Sequence, residues 1–212
     1  MHKAMKTMMK TTCMAVLLLL AASIQAQNPV FGIRAGMNLS TVSAAGNLYD
    51  NSQVQPGFTA ALMARYSLAK NWEVMSELSF EQKGISTSLG SGDWETVNTR
   101  QFDYLTVPLA IRGSMPLAGK VRLFGQAGTY GSILLNSGTS QKINGEQAIH
   151  QNSDPNIKSN DFGWIAGCGV DIPLKNHSLS AEIRFERGIM EVDKNDTELR
   201  NKAFSIQLGY WF

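Results

Sequence analysis

Cysteine, histidine and net charge are all scarce in this chain, and each scarcity excludes something. The two cysteines are Cys13 and Cys168. Cys13 stands ahead of an N-terminal apolar run, where no lipoprotein acceptor would sit, and leaves with that segment if it is removed. Cys168 is then alone, so no intrachain disulfide is expected. Beyond His2, the histidines are His150 and His177, neither with a second ligand at a metal-site spacing, so no metal or cofactor is expected. The formal net charge is only +2, and Lys3, Lys6 and Lys10 account for it. Past them acids outnumber bases, and no basic patch points to nucleic acid. No apolar run reaches the roughly 20 residues of a spanning helix, and no glycine-rich phosphate loop opens a helix.

The N-terminal segment reads as an export signal. Three lysines precede "MAVLLLLAA", and small and polar residues follow in "SIQAQ". Cleavage is expected after Ala26, with the bulky Ile24 at the minus-three position. That divides the chain into a signal peptide, 1–26, and one domain, 27–212.

That domain shows period-two segments at Val30–Leu39, Gly57–Leu68, Trp72–Lys83, Phe102–Ser114, Lys120–Leu134, Phe162–Leu174, Ser178–Ile189 and Ala203–Phe212. Most span about 10–13 residues, against about 5–6 for a usual strand and about 9–11 for a strand crossing a membrane. The connections alternate. "AKN", "PLAG" and "KNH" are tight turns, whereas the intervening loops are long and polar. Short turns at one end and long loops at the other are the habit of outer-membrane barrels.

Parity separates two faces. One carries Phe31, Ile33, Met37 and Leu39, then Leu62, Leu78, Val107, Leu109 and Ile111, and later Ile183, Phe204, Ile206 and Leu208, with no charge at mid-strand. The other carries Arg34, Arg65, Glu73, Glu77, Glu81, Arg112, Arg122, Asp171, Glu182, Arg184 and Glu186, interleaved with glycines. A soluble lipocalin-like barrel would turn the apolar face inward. Three features argue for lipid instead: glycine on the charged face, where it relieves crowding in a narrow lumen; aromatics near both strand ends; and an apolar face running to Phe212. The fold expected is all-β, an eight-stranded antiparallel up-and-down transmembrane β-barrel with four long extracellular loops and short periplasmic turns. An open edge in lipid costs several kcal/mol per unsatisfied backbone group, so the barrel must close.

"FGIRAGMNLS", "GFTAALMARYSLAKNWEVMSELSFEQKG" and "FDYLTVPLAIRGSM" resemble, in order and spacing, the PorT-type outer-membrane β-barrel family. Gly32, Arg34, Gly36 and Asn38 stand at its first-strand positions. Glu77, Phe80, Gln82, Lys83 and Gly84 match the third strand, and Tyr104, Leu105, Pro108 and Leu109 the fourth. The resemblance covers essentially the whole domain and implies the barrel. The family's named member takes part in protein secretion, a role the motifs themselves do not specify. Pro108 inside a strand forfeits a ladder hydrogen bond, so a bulge or local irregularity is expected there.

The charged face is read as structure rather than as catalysis. Glu73, Glu77 and Glu81 stand about 13 Å apart along one strand, too far to act as a carboxylate pair on one bond. Opposed Arg and Glu rows form an interior charge network in a lumen only wide enough for side chains. His150, Asp154 and loop serines could be drawn as a triad, but polar loops generate such triples by chance. No catalytic residue is assigned. The function expected is a non-enzymatic outer-membrane anchor displaying mobile loops to a partner or envelope component. The alternatives are a small outer-membrane enzyme acting on lipid or peptide, or a component of a secretion apparatus. The partners expected are outer-membrane lipid, the barrel-assembly machinery through the strand ending in Phe212, and a surface partner. A passive pore is disfavoured by strand number and the charged interior.

Overall fold

The computed structural model describes residues 29–43, 52–91, 94–144, 146–151, 157–192 and 199–212. The signal segment 1–26 and Asp154 lie outside the described residues, among which there is no helix. The strands are β1 (Val30–Ser43), β2 (Ser52–Ala69), β3 (Trp72–Ser91), β4 (Trp94–Ala118), β5 (Val121–Ile143), β6 (Glu146–Gln151), β7 (Asn160–Pro173), β8 (Ser178–Gly188) and β9 (Arg200–Trp211). Every pairing is antiparallel. β4 pairs with both β3 and β5, and β9 pairs with both β8 and β1, so eight strands close into a ring. β6 stands outside the ring as a hairpin partner of the far end of β5.

Closure comes from the first and last strands. Arg34 opposes Gly209 and Met37 opposes Ile206, and the Phe212 amide donates to the Phe31 carbonyl at 2.9 Å. The faces divide by parity. Met37, Leu62, Leu109, Ile133, Ile206 and Leu208 are exposed, Leu208 by 68%, while Arg34, Glu77, Arg112, Glu182 and Arg184 are buried. An exposed apolar belt around a buried charged interior is a soluble protein turned inside out, and hydrocarbon is the solvent that suits it. Exposed Phe31, Trp72 and Phe212 mark one rim of the belt; Phe58, Trp164 and Phe204 mark the other.

Glycine makes the narrow interior possible. An added Cβ on Gly169 would fall 2.6 Å from the Phe124 ring and 2.1 Å from the Ala181 carbonyl oxygen. On Gly163 it would fall 2.7 Å from the Tyr130 ring. Each glycine thus leaves space for a large ring from the neighbouring strand, in a lumen with no room for both side chains.

One expectation is corrected and a second takes a definite form. The loops between the third and fourth and between the fifth and sixth ring strands are not structureless: their sequences continue the ladder. Gly84–Ser91 pairs with Trp94–Gln101, and Thr96–Asp103 pairs with Asn136–Ile143. This three-stranded extension carries the sheet about 27 Å further along the strands, at about 3.4 Å per residue. At Pro108 the expected local irregularity is a gap in the ladder rather than a bulge. The β3–β4 register is the same on either side of it, and the ladder skips Glu77 and Leu78 opposite the proline. The Pro108 carbonyl accepts from Ser76 Oγ at 3.0 Å instead. The bulges lie elsewhere, including one at Leu135.

Candidate functional site

The interior is built from inward-facing positions of every ring strand, and its charges fall into three connected groups. The central group joins β1, β3, β5 and β8. Glu77 accepts from Arg34 and from both terminal nitrogens of Arg184, Nη2 at 2.8 Å and Nη1 at 3.2 Å. Glu182 accepts from Arg34 Nη1 at 2.7 Å, Arg184 Nε at 2.8 Å and Gln126 Nε2 at 2.7 Å. Two carboxylates and two guanidinia thus pair with one another, the arrangement that makes buried ions tolerable.

Towards the long-loop end, Lys83 Nζ lies 2.8 Å from Glu186 and 2.9 Å from Glu81. It also sits 4.8 Å from the Tyr130 ring centroid and 5.8 Å from that of Tyr104. Glu81 accepts further from Ser79 at 3.0 Å and Thr106 at 3.1 Å. Above it, Asp161 accepts from Tyr130 at 3.1 Å and Asn201 at 2.8 Å. Towards the short turns, Arg112 pairs with Asp171, and its Nε lies 3.6 Å from Glu73. Arg65 stands looser, 3.7 Å from Asp171 and 3.8 Å from Glu73. Arg122 donates to Ser114 Oγ at 2.6 Å and to Asn71 Oδ1 at 3.3 Å.

The structure therefore draws Arg34, Glu77, Glu182 and Arg184 together in the centre, with Glu81 and Glu186 above. Arg65, Glu73, Arg112 and Asp171 gather at the short-turn end, and Arg122 lies beside them without a carboxylate. Lys83, Asp161, Tyr130 and Asn201 were missed. The signal was available: Lys83 continues the odd-numbered row of Glu73, Glu77 and Glu81, and Asp161 continues that of Asp171. Both had been placed at or beyond a strand end.

Apolar groups seal the charges in. Met63, Met75 and Trp211 form a buried cluster beneath the central group. Across the ring, Phe124 is covered by the Arg112 guanidinium, 3.5 Å from its centroid. At the other end Ile157 packs on Phe102 and Tyr104, and Val192 and Leu199 pack on Ile85. Backbone bonds hold this cap, Lys158 N to Val192 O at 2.8 Å and Val192 N to Leu199 O at 2.8 Å. A hollow of about 280 Å³ remains there, and one of about 390 Å³ opens at the short turns. With ion pairs and apolar clusters filling the lumen between these hollows, purified barrel in planar bilayers is expected to show no stable conductance. Steady ion current from the wild-type chain would mean that the side chains do not fill the lumen.

Each central carboxylate is saturated by cations and buried away from either hollow. Among the described residues no three His, Cys, Asp or Glu side chains group as a metal would need. His150 lies in β6, opposite Ser140. Cys168 is exposed on the apolar belt, between Gly125 and Ile183.

A family model described as outer membrane protein beta-barrel domain matches residues 25–194. Among solved structures, the chain is similar to Ail, the attachment invasion locus protein of Yersinia pestis, at 18% identity and a TM-score of 0.42, covering 88% of this chain and 100% of that one. It is similar to the outer membrane protein OprG from Pseudomonas aeruginosa at 12% identity and a TM-score of 0.46, covering 88% and 97%. It is also similar to the outer membrane enzyme PagL at 11% identity and a TM-score of 0.35, covering 84% and 97%. No curated protein matches the sequence.

Proposed function

The chain belongs to the outer membrane protein beta-barrel domain family, and on that premise we propose that this outer-membrane barrel is a non-enzymatic display module. Its short turns face the periplasm, and its long-loop end contacts a surface partner or envelope component. One contrast carries the reading. The lumen is committed to its own ion pairs, whereas the β3–β4–β5 sheet runs about 27 Å past the barrel at about 3.4 Å per residue. Ile85 and Phe102 at its base pack into the cap, and the sheet beyond them is there to be met by something else.

Within the family, we read the motif residues as PorT-type on their resemblance, and their contacts suggest why those residues would specify a barrel. Arg34 of the first strand pairs with Glu77 of the third, Asn38 Nδ2 donates to the Gln82 carbonyl at 3.2 Å, and Lys83 lies over Tyr104 of the fourth. The motif holds the interior together. It carries no reaction.

The test is a trimmed barrel. Thr87 and Asn98 are register partners, as are Gln141 and Ile149, so each pair can be rejoined through a two-residue Asn-Gly turn. Closing a shorter loop costs little, and the trimmed chain is expected to keep its heat-modifiable gel migration. Photo-crosslinks formed on cells from a probe at position 96 of the full chain should reach a discrete surface partner. A probe at position 100 of the trimmed chain should lose it. Lipid mass spectra of cells with and without the protein should agree. A lipid species lost only when the full barrel is present would sink the display reading in favour of an enzyme. Excising the whole of Asn136–Asn160, by contrast, would strip the far end of β5 from Thr96–Asp103 of β4 and remove Ile157 from the cap, so that larger deletion is expected to damage folding.

A further inference from the structure

The charge pattern of the lumen changes at the short-turn mouth. Deeper in, Arg34, Lys83, Arg112 and Arg184 each face carboxylates. Around the hollow of about 390 Å³, Lys70, Arg122 and Lys175 make no ion pair among the described residues. Arg122 has neutral acceptors, Ser114 and Asn71. Glu73 and Asp171 also line the hollow, but they are engaged with Arg65 and Arg112. That leaves the C-terminal carboxylate of Phe212 to oppose three cations.

A second observation concerns the same hollow. Trp211 lines this hollow, is 1% exposed, and its Nε1–H has no hydrogen-bond partner. A buried indole N–H ordinarily finds an acceptor. The Arg65 guanidinium lies 4.3 Å over the same ring and donates to Ser178 Oγ at 3.3 Å. The indole N–H is enclosed behind the wall of the hollow rather than open to it, and the surplus cations around the hollow call for one complement, an anion rich in acceptor oxygens.

We propose that the short-turn mouth binds a phosphate-bearing anion, either a free phosphate compound or the headgroup of a phospholipid in the adjoining leaflet. A guanidinium offers phosphate a planar fork of donors, and lysines on flexible stems add point charges to it. Lys70 and Lys175 sit exposed on two separate turns that both line the mouth, where they can fold onto a bound group without disturbing the packed lumen. The site depends on neither the loops nor the display reading.

The test uses the full mature chain refolded in a phosphate-free maltoside detergent, with the Trp211 indole N–H resonance as reporter, assigned through Trp211→Phe. Pyrophosphate and dihexanoyl phosphatidylglycerol are titrated separately at fixed ionic strength. A saturable shift of that resonance is expected, with its midpoint weakened at least tenfold in Lys70→Gln/Arg122→Gln/Lys175→Gln. Saturation by pyrophosphate alone assigns a free solute, and saturation by the lipid probe alone assigns a headgroup. Should Arg122 prove necessary for folding, Lys70→Gln/Lys175→Gln is expected to weaken the midpoint severalfold. No shift with either probe, or a midpoint unmoved by removing the charges, overturns the proposal.

Discussion

Glu77→Ala is expected to destabilise the barrel by about 3–5 kcal/mol, the cost of breaking a buried ion pair from one side. Glu77 is 4% exposed and holds the guanidinia of Arg34 and Arg184. Without its carboxylate, Arg34 keeps Glu182, and Arg184 keeps Glu182 through Nε alone, with Glu186 4.0 Å from Nη1. Two buried cations would then share too little negative charge, and no solvent reaches them to compensate. The paired replacement Glu77→Leu with Arg184→Met removes one charge of each sign and leaves Arg34–Glu182 intact. It should therefore cost clearly less than Glu77→Ala alone. Urea titration of the refolded barrel in lipid measures both. A loss below about 1 kcal/mol for Glu77→Ala, the scale of a solvated ion pair, would show that water already occupies the lumen.

Ile206→Arg should be a damaging change on the outer face, approaching the about 2–4 kcal/mol of a cation at the bilayer midplane. Ile206 is 57% exposed, lies between Met37 and Ile183 on the flanking strands, and sits within the belt bounded by Phe204 and Phe212. Ile206→Leu at the same position should change stability little. The outcome would be read in lipid bilayers of defined thickness. Equal tolerance of Arg and Leu there would remove the lipid belt from the account. Strand parity alone suggests that the adjacent Gln207 faces a polar lumen and accepts arginine mildly. Its surroundings reverse that. Gln207 is 4% exposed, donates to Ser205 at 2.5 Å, and packs where Gly36 has no side chain. Gln207→Arg would force a long cation into a filled interior and should also destabilise.

That reversal shows what could and could not be read from sequence. Between the aromatic rims, one face meets hydrocarbon and the other meets charges, so the period-two pattern is strong and fixes strand, facing and closure together. Past the rims both faces meet water. Thr87, Ser88, Thr96, Asn98, Thr139 and Gln141 give no alternation, and Gly84, Gly90 and Gly138 look like turn residues. Ladder hydrogen bonds carry the strands onward there, and no side-chain pattern records them. The bulge at Leu135 then shifts the inward row of β5, so Ser137 rather than Asn136 turns inward beyond it. Within the lumen, sequence supplied the population of charged residues but not their partners. Pairing Arg34 with Glu77 and Glu182 depends on which strands stand opposite one another across a closed ring, a property of the whole circuit.

The seam between β1 and β9 sets the order of events in biogenesis. Val30 begins the first strand and Trp211 ends the last, and they meet with nearly the entire domain between them in the chain. So long a loop must be closed before any of the seam's hydrogen bonds form, which makes for high contact order and slow folding. The ring cannot close ahead of the rest of the chain, because β1 waits for the twelve residues of β9, Arg200–Trp211. Until they arrive, the chain is a ribbon with two raw edges and an apolar flank. It has to be carried across an aqueous compartment in that condition and joined end to end where the lipid is.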